Sequence, residues 1–176
     1  MYRLRDAPLE ARTGESVIAP ISIEGLPAEI DVLGRRRRRK AEFHMTVLAA
    51  STIEDIGGGD PTIWERVAGL LAGQSVGPIF VTDDLRRVRH PDEPDLETIV
   101  VMVRCPALEP LFAELSGQLE TKLAAPPAHV TLYSTDPGRG IGINNGRQLR
   151  ERAPGLKEEE QEEVRRAMGF DAVFAP

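Results

Sequence analysis

Two histidines are the residues of this 176-residue sequence best placed to do chemistry. In AEFHMTVLAA (41–50), His44 and Thr46 stand two apart in an otherwise apolar run; in PPAHVTLYST (126–135), His129 and Thr131 repeat the spacing 85 residues further on. Side chains alternate between the faces of a strand, so each histidine shares a face with its threonine while Met45 or Val130 occupies the other. One such pair reads as a satisfied polar spot in a sheet. Two copies of one pattern, HMTVL and HVTLY, using two of the three histidines, read as a site. With an unperturbed pKa of about 6.5, imidazole serves as base or acid near neutrality. A pair can divide the hydrolysis of a phosphodiester, one taking a proton from the attacking water and the other giving one to the leaving oxygen. A threonine hydroxyl on the same face can donate to a non-bridging phosphate oxygen and stabilise the charge that builds there.

The two motifs resemble the paired HxTx-hydrophobic signatures of the two-histidine (2H) phosphoesterase superfamily, which includes bacterial RNA 2′,3′-cyclic phosphodiesterases also called 2′-5′ RNA ligases. The resemblance implies one α+β domain over residues 1–176. This domain is bilobal, with two related antiparallel sheets forming a central cleft, helices packed outside, and lobes built around the strands at 41–50 and 128–135. It implies metal-independent hydrolysis of a cyclic or linear phosphodiester, often at an RNA end, without a cofactor. His44 and His129 would be the acid/base pair, and Thr46 and Thr131 the phosphate-binding hydroxyls. Many members open with a strand and a long helix, whereas residues 5–40 here are rich in Gly, Pro and charge, which points to a trimmed or rearranged first lobe.

The elements that must position these residues are legible to different degrees. SVIAPISIEG and AEIDVLG read as short strands, with no helix in residues 1–40. After the strand AEFHMTVLA, the break GGGDP supplies a helix start, with Asp60 as N-cap and Pro61 as first helical residue of a helix over 62–73. Its Ile63, Val67, Leu70 and Leu71 fall at helical spacing. GPIFVTDDLRRVRH reads as strand, turn and strand, and LETIVVMVRC as a strong strand. Residues 107–123 read as an amphipathic helix that ends before Pro126 and Pro127. In the tail from Arg139, KEEEQEEVRRAMG reads as a helix and FDAVFA as a closing edge strand, while GRGIGINNG lacks the spacing of a nucleotide loop.

Composition narrows the partners. A hydrophobic content of 41% and a charged content of 28% are those of a soluble globular protein. No apolar run reaches a bilayer-spanning length, and MYRLRDAPLE lacks the apolar core of a signal peptide, so a cytoplasmic monomer without a membrane partner is expected. One cysteine, Cys105, and three scattered histidines offer no zinc-ligand spacing, and no metal is expected. Cys105 reads as buried and inert, Trp64 as core and His90 as an exposed loop residue.

A net charge of −6 argues against nonspecific coating of nucleic acid, yet residues 35–40 read RRRRRK and 157–163 read KEEEQEE. The basic run is either a solvated loop or an anion-attracting rim, in which case Arg38, Arg39 and Lys40 would contact substrate. Tyr133, by the period of two, shares the His129 face and could stack on a base; Arg139 could reach a phosphate or be simply exposed. Three functional readings follow. A phosphodiesterase for RNA ends would use the basic run, one for a small cyclic or 2′-5′ linked signalling nucleotide would need only a compact cleft, and a non-catalytic module would bind an RNA end or nucleotide. Against the last, binding phosphate without moving a proton is served by Lys or Arg alone.

Overall fold

Strands dominate because most apolar runs in this chain are short, rich in Val and Ile, and broken by Gly or Pro. The computed structural model describes residues 2–4, 7–11 and 14–174. Its first half runs β1 (Arg3–Leu4), β2 (Ala7–Pro8), β3 (Val17–Ile21), β4 (Glu29–Val32), β5 (Arg35–Arg39), β6 (Phe43–Leu48), α1 (Ala50–Gly57) and α2 (Ile63–Leu71). There follow β7 (Ser75–Val76), β8 (Ile79–Arg89), β9 (Glu97–Arg104), α3 (Leu108–Gln118), β10 (His129–Ser134), α4 (Gly146–Arg152), α5 (Glu158–Met168) and α6 (Phe170–Val173). The class is α+β: helices with an eight-stranded sheet whose pairings are antiparallel, beside a two-stranded β2–β7 ribbon. No helix among the described residues is long and apolar enough to cross a membrane.

The sheet runs β1-β8-β9-β10 and then forks. Along its second edge β10 pairs first with β6, Val130 opposite Met45, and then with β5, Tyr133 opposite Arg39. Residues 40–42 bulge between these two pairings, and the Lys40 N–H still reaches the Leu132 carbonyl at 2.9 Å. β6 carries β3 on its far side, and β5 carries β4. The β4–β5 hairpin turns through Leu33 and Gly34, both at positive φ (53° and 72°), as a two-residue turn with right-handed strands requires. Glu163 on α5 accepts the Leu33 N–H at 2.7 Å and pins that turn.

One face of the sheet is packed by helices. Met45, Val47, Val101 and Val130 share a core with Ile53 of α1, Val67 of α2, Phe112 of α3 and Val164 of α5. On the opposite face a smaller core of Val88, Leu96 and Val100 is covered by Ile141, Ile143 and Ala153 from the tail. The continuous apolar run of β9 follows from this, since it is buried on both faces.

Several local expectations change. The helix expected over 62–73 starts at Ile63: the Asp60 carboxylate accepts from the Thr62 N–H and hydroxyl at 2.9 and 2.8 Å, which caps a turn ahead of the helix and leaves Pro61 outside it. α3 stops at Gln118 rather than 123, where Glu120 takes φ 51°. GPIFVTDDLRRVRH holds one long strand, not two, because the Thr82 hydroxyl stitches an irregularity between Val81 and Leu85, donating to the Met102 carbonyl at 2.7 Å. FDAV is helical, not an edge strand, with Phe170 buried in the main core, and Ala175 lies outside the described residues. α1 was not read from the sequence: it spans eight residues, and Ile53 and the partly buried Ile56 give its inward face only two large apolar side chains.

Candidate active site

Register brings the two motifs together. Val130 lies opposite Met45, and extending that antiparallel pairing one residue each way sets His44 beside Thr131 and Thr46 beside His129. Because Met45 and Val130 point into the main core, all four polar residues lie on the other face, histidines on one diagonal and threonines on the other. Ile18 and Pro20 of β3, paired with Thr46 and His44, continue this face on one side; Met102 and Val100 of β9, paired with His129 and Thr131, continue it on the other.

His129 is 8% exposed. Its Nδ1 lies 2.7 Å from the Pro127 carbonyl, which can only accept, so Nδ1 carries the proton and Nε2 keeps its lone pair in the neutral ring. Burial pushes the His129 pKa below the ordinary 6.5; the Pro127 bond opposes this, and the nearby charge of His44 adds to it. The half-buried His44 is also lowered, first by burial and then by the Lys40 ammonium, with Glu42 opposing. Thr46 and Thr131 are half-buried, and neither hydroxyl has a hydrogen-bond partner among the described residues.

His44 opens onto a cleft of about 700 Å³ whose lining includes Pro20, Ser22, Arg39, Lys40 and Glu42, and onto an adjoining pocket of about 290 Å³ that includes Ser16 and Ile18. Those volumes suit a small organic ligand. At the other end of the quartet, Thr46 lines a water-sized pocket of about 20 Å³ with Pro126 and Asn144. Among the described residues no three His, Cys, Asp or Glu side chains gather as a metal site.

The other singled-out residues divide. Tyr133 is turned away from the quartet: Thr131 pairs with Val100 and Tyr133 with Ile99, so Leu132 is the extra residue of a bulge that exchanges the faces beyond it. Its buried ring packs in the main core, its hydroxyl donates to the Pro27 carbonyl at 2.9 Å, and burial pushes its pKa up to about 12. The basic run is strand β5 rather than a loop, and its arginines are engaged. Arg35 meets Asp95 (3.2 Å), Arg36 meets Asp31 (3.2 Å), Arg38 meets Glu29 (3.0 Å), and the fully buried Arg37 meets Glu97 (2.5 Å). Arg39 donates to the Leu26 carbonyl (2.6 Å), and Arg139 forms a two-bond pair with Glu93 (2.6 and 2.6 Å). Lys40 donates to the carbonyls of Pro137 (2.6 Å) and Arg139 (3.2 Å). Arg39 and Lys40 line the His44 cleft; Arg38, Arg139 and Tyr133 do not. Asn144 had no signal in the sequence beyond a Gly- and Asn-rich tail.

Comparison with protein-family models, with curated proteins and with solved structures finds no match for this chain.

Proposed function

We propose that the chain is a phosphodiesterase that opens a 2′,3′-cyclic phosphate or related phosphodiester by His/His general acid-base catalysis, with no part for a metal. The observation that carries this reading is the register-set diagonal of His44 and His129 with Thr46 and Thr131 on one sheet face. In this scheme a water oxygen attacks phosphorus and its proton passes to His129 Nε2, the nitrogen left with a lone pair by the Pro127 bond. The bond from phosphorus to one ribose oxygen breaks, and that oxygen takes its proton from His44. The product is a phosphomonoester. The two threonine hydroxyls bind non-bridging oxygens, where charge grows as water adds. In the two-lobed arrangement that the resemblance implies, the β6–β3 arm is one side of the cleft and β8-β9-β10 the other, and the quartet lies along their seam.

An RNA end is one substrate for such a site. A second reading, a small cyclic or 2′-5′ linked nucleotide, is favoured by the ion pairing of Arg35, Arg36 and Arg38, which leaves these side chains committed to carboxylates rather than to a polynucleotide backbone.

The test is hydrolysis, in the presence of chelator, of nucleoside 2′,3′-cyclic phosphates and of an oligonucleotide ending in one. The parent turns over at least one of them. His44→Ala and His129→Ala each lose about 10²- to 10⁴-fold, and Thr46→Ala or Thr131→Ala about 2–4 kcal/mol of transition-state stabilisation. Undiminished turnover in either histidine variant would sink the mechanism, and binding without turnover by the parent would leave a binding module.

A further inference from the structure

We propose that the Asn144 carboxamide is a third phosphate-binding donor of this site, held beside Thr46 by the tail. This rests on the phosphodiesterase reading. The tail is fixed against the same face as the quartet: Ile141 and Ile143, 4% and 1% exposed, pack with Val100, the cross-strand partner of Thr131. That anchoring carries the next residue to the end of β6, where Asn144 and Thr46 line one small pocket with Pro126, Val47 and Phe112. Thr46 is beside His129 by register, so a donor here is close to the reacting phosphate.

The turn is held without the Asn144 side chain. Its main-chain N–H donates to Gln148 Oε1 at 2.7 Å, and the neighbouring Asn145 caps α4 by accepting the Gln148 N–H at 2.9 Å. Among the described residues the Asn144 carboxamide makes no hydrogen bond of its own. Gly142 leaves it room: a Cβ there would come within 3.2 Å of Asn144 Oδ1 and 3.8 Å of Nδ2. A carboxamide brings two N–H donors without a charge to desolvate in a half-buried position, and with the hydroxyl of Thr46 it offers a phosphate oxygen neutral donors from two directions.

The experiment is calorimetric binding of inorganic phosphate and adenosine 3′-monophosphate to the full chain, with a melting temperature for each variant. Asn144→Asp removes the donors at nearly constant shape and puts a carboxylate against the anion; Asn145→Asp places the same charge one residue away and keeps the cap. Expected is a loss of affinity of about tenfold or more for Asn144→Asp and about three- to tenfold for Asn144→Ala, with melting temperatures at the parent value. Asn145→Asp stays within about threefold. Asn144→Asp binding as the parent does, or no greater loss than in Asn145→Asp, overturns the assignment while the phosphodiesterase reading stands. A parent that binds neither probe overturns both. Hydrolysis that persists in His44→Ala and His129→Ala overturns the mechanism alone.

Discussion

His44 and His129 are lowered by the same first cause, burial, and that sets the pH behaviour of the site. Catalysis by one neutral and one protonated imidazole needs a pH between the two macroscopic pKa values of the pair. Both shifts run downward from 6.5, so kcat/KM, which reports the free enzyme, is expected to trace a bell with both limbs on the acid side of 6.5. Above that pH log(kcat/KM) falls with unit slope as the acid loses its proton. A plateau extending to pH 8 in a pH-rate profile would mean that a different group supplies the leaving-group proton. The stability sign is the other way round from an ion-paired histidine. The fold favours the neutral rings, so their contribution is present above the unfolded value and is lost as pH falls through the folded pKa. That loss begins as pH falls past the ordinary histidine value of about 6.5 and is complete below the lowered folded values.

At the scale of the element, β5 is the strand most misread by local rules. Five successive arginines look like a solvated run, yet the strand period splits them, and every second residue faces a different environment. Arg37 is 0% exposed and meets Glu97, itself 4% exposed and also bonded by Arg89 Nε at 3.3 Å. Removing the arginine leaves the buried carboxylate with the longer Arg89 contact alone. Arg37→Ala is expected to cost about 3–5 kcal/mol, read as a lowered midpoint in urea denaturation. Arg36→Gln, on the exposed side of the same strand, leaves that midpoint near the parent's. Equal midpoints for both variants would mean that the Arg37–Glu97 pair contributes no more than a surface contact. β10 teaches the same lesson by its bulge: the single extra residue, Leu132, carries Tyr133 from the expected site face into the core.

For the whole molecule, the tail and the ion pairs shape the face that the sheet presents. Ile141, Ile143 and Ala153 cover the β8–β9 part of the second face, so the quartet lies at the edge of a built wall rather than on an open sheet. The acidic side chains that answer the arginines come from β4, from the 93–95 loop and from β9, which leaves the chain at −6 without a free cationic track along β5. A polynucleotide-binding surface making six to ten phosphate contacts loses about 10³- to 10⁵-fold in affinity between 50 and 200 mM salt. Here KM for an oligonucleotide ending in a cyclic phosphate is expected to change by less than about tenfold over that range, in step with a mononucleotide. A steep slope for the oligonucleotide alone would show that RRRRRK exchanges its carboxylates for RNA.

Local features were legible in the amino-acid order alone. That order marked two HxT motifs on strands, the strands β3, β4 and β9, and the helices α2, α3 and α5, because periods of 2 and 3.6 residues are written within a single window. It could not determine the register that sets His44 beside Thr131, the bulge that removes Tyr133 from that face, the carboxylates that meet the arginines, or the place of Asn144. Each of these joins residues tens of positions apart. Cross-strand register, buried ion pairing and the docking of a tail are settled by packing the whole chain at once, and only the tertiary structure contains that information.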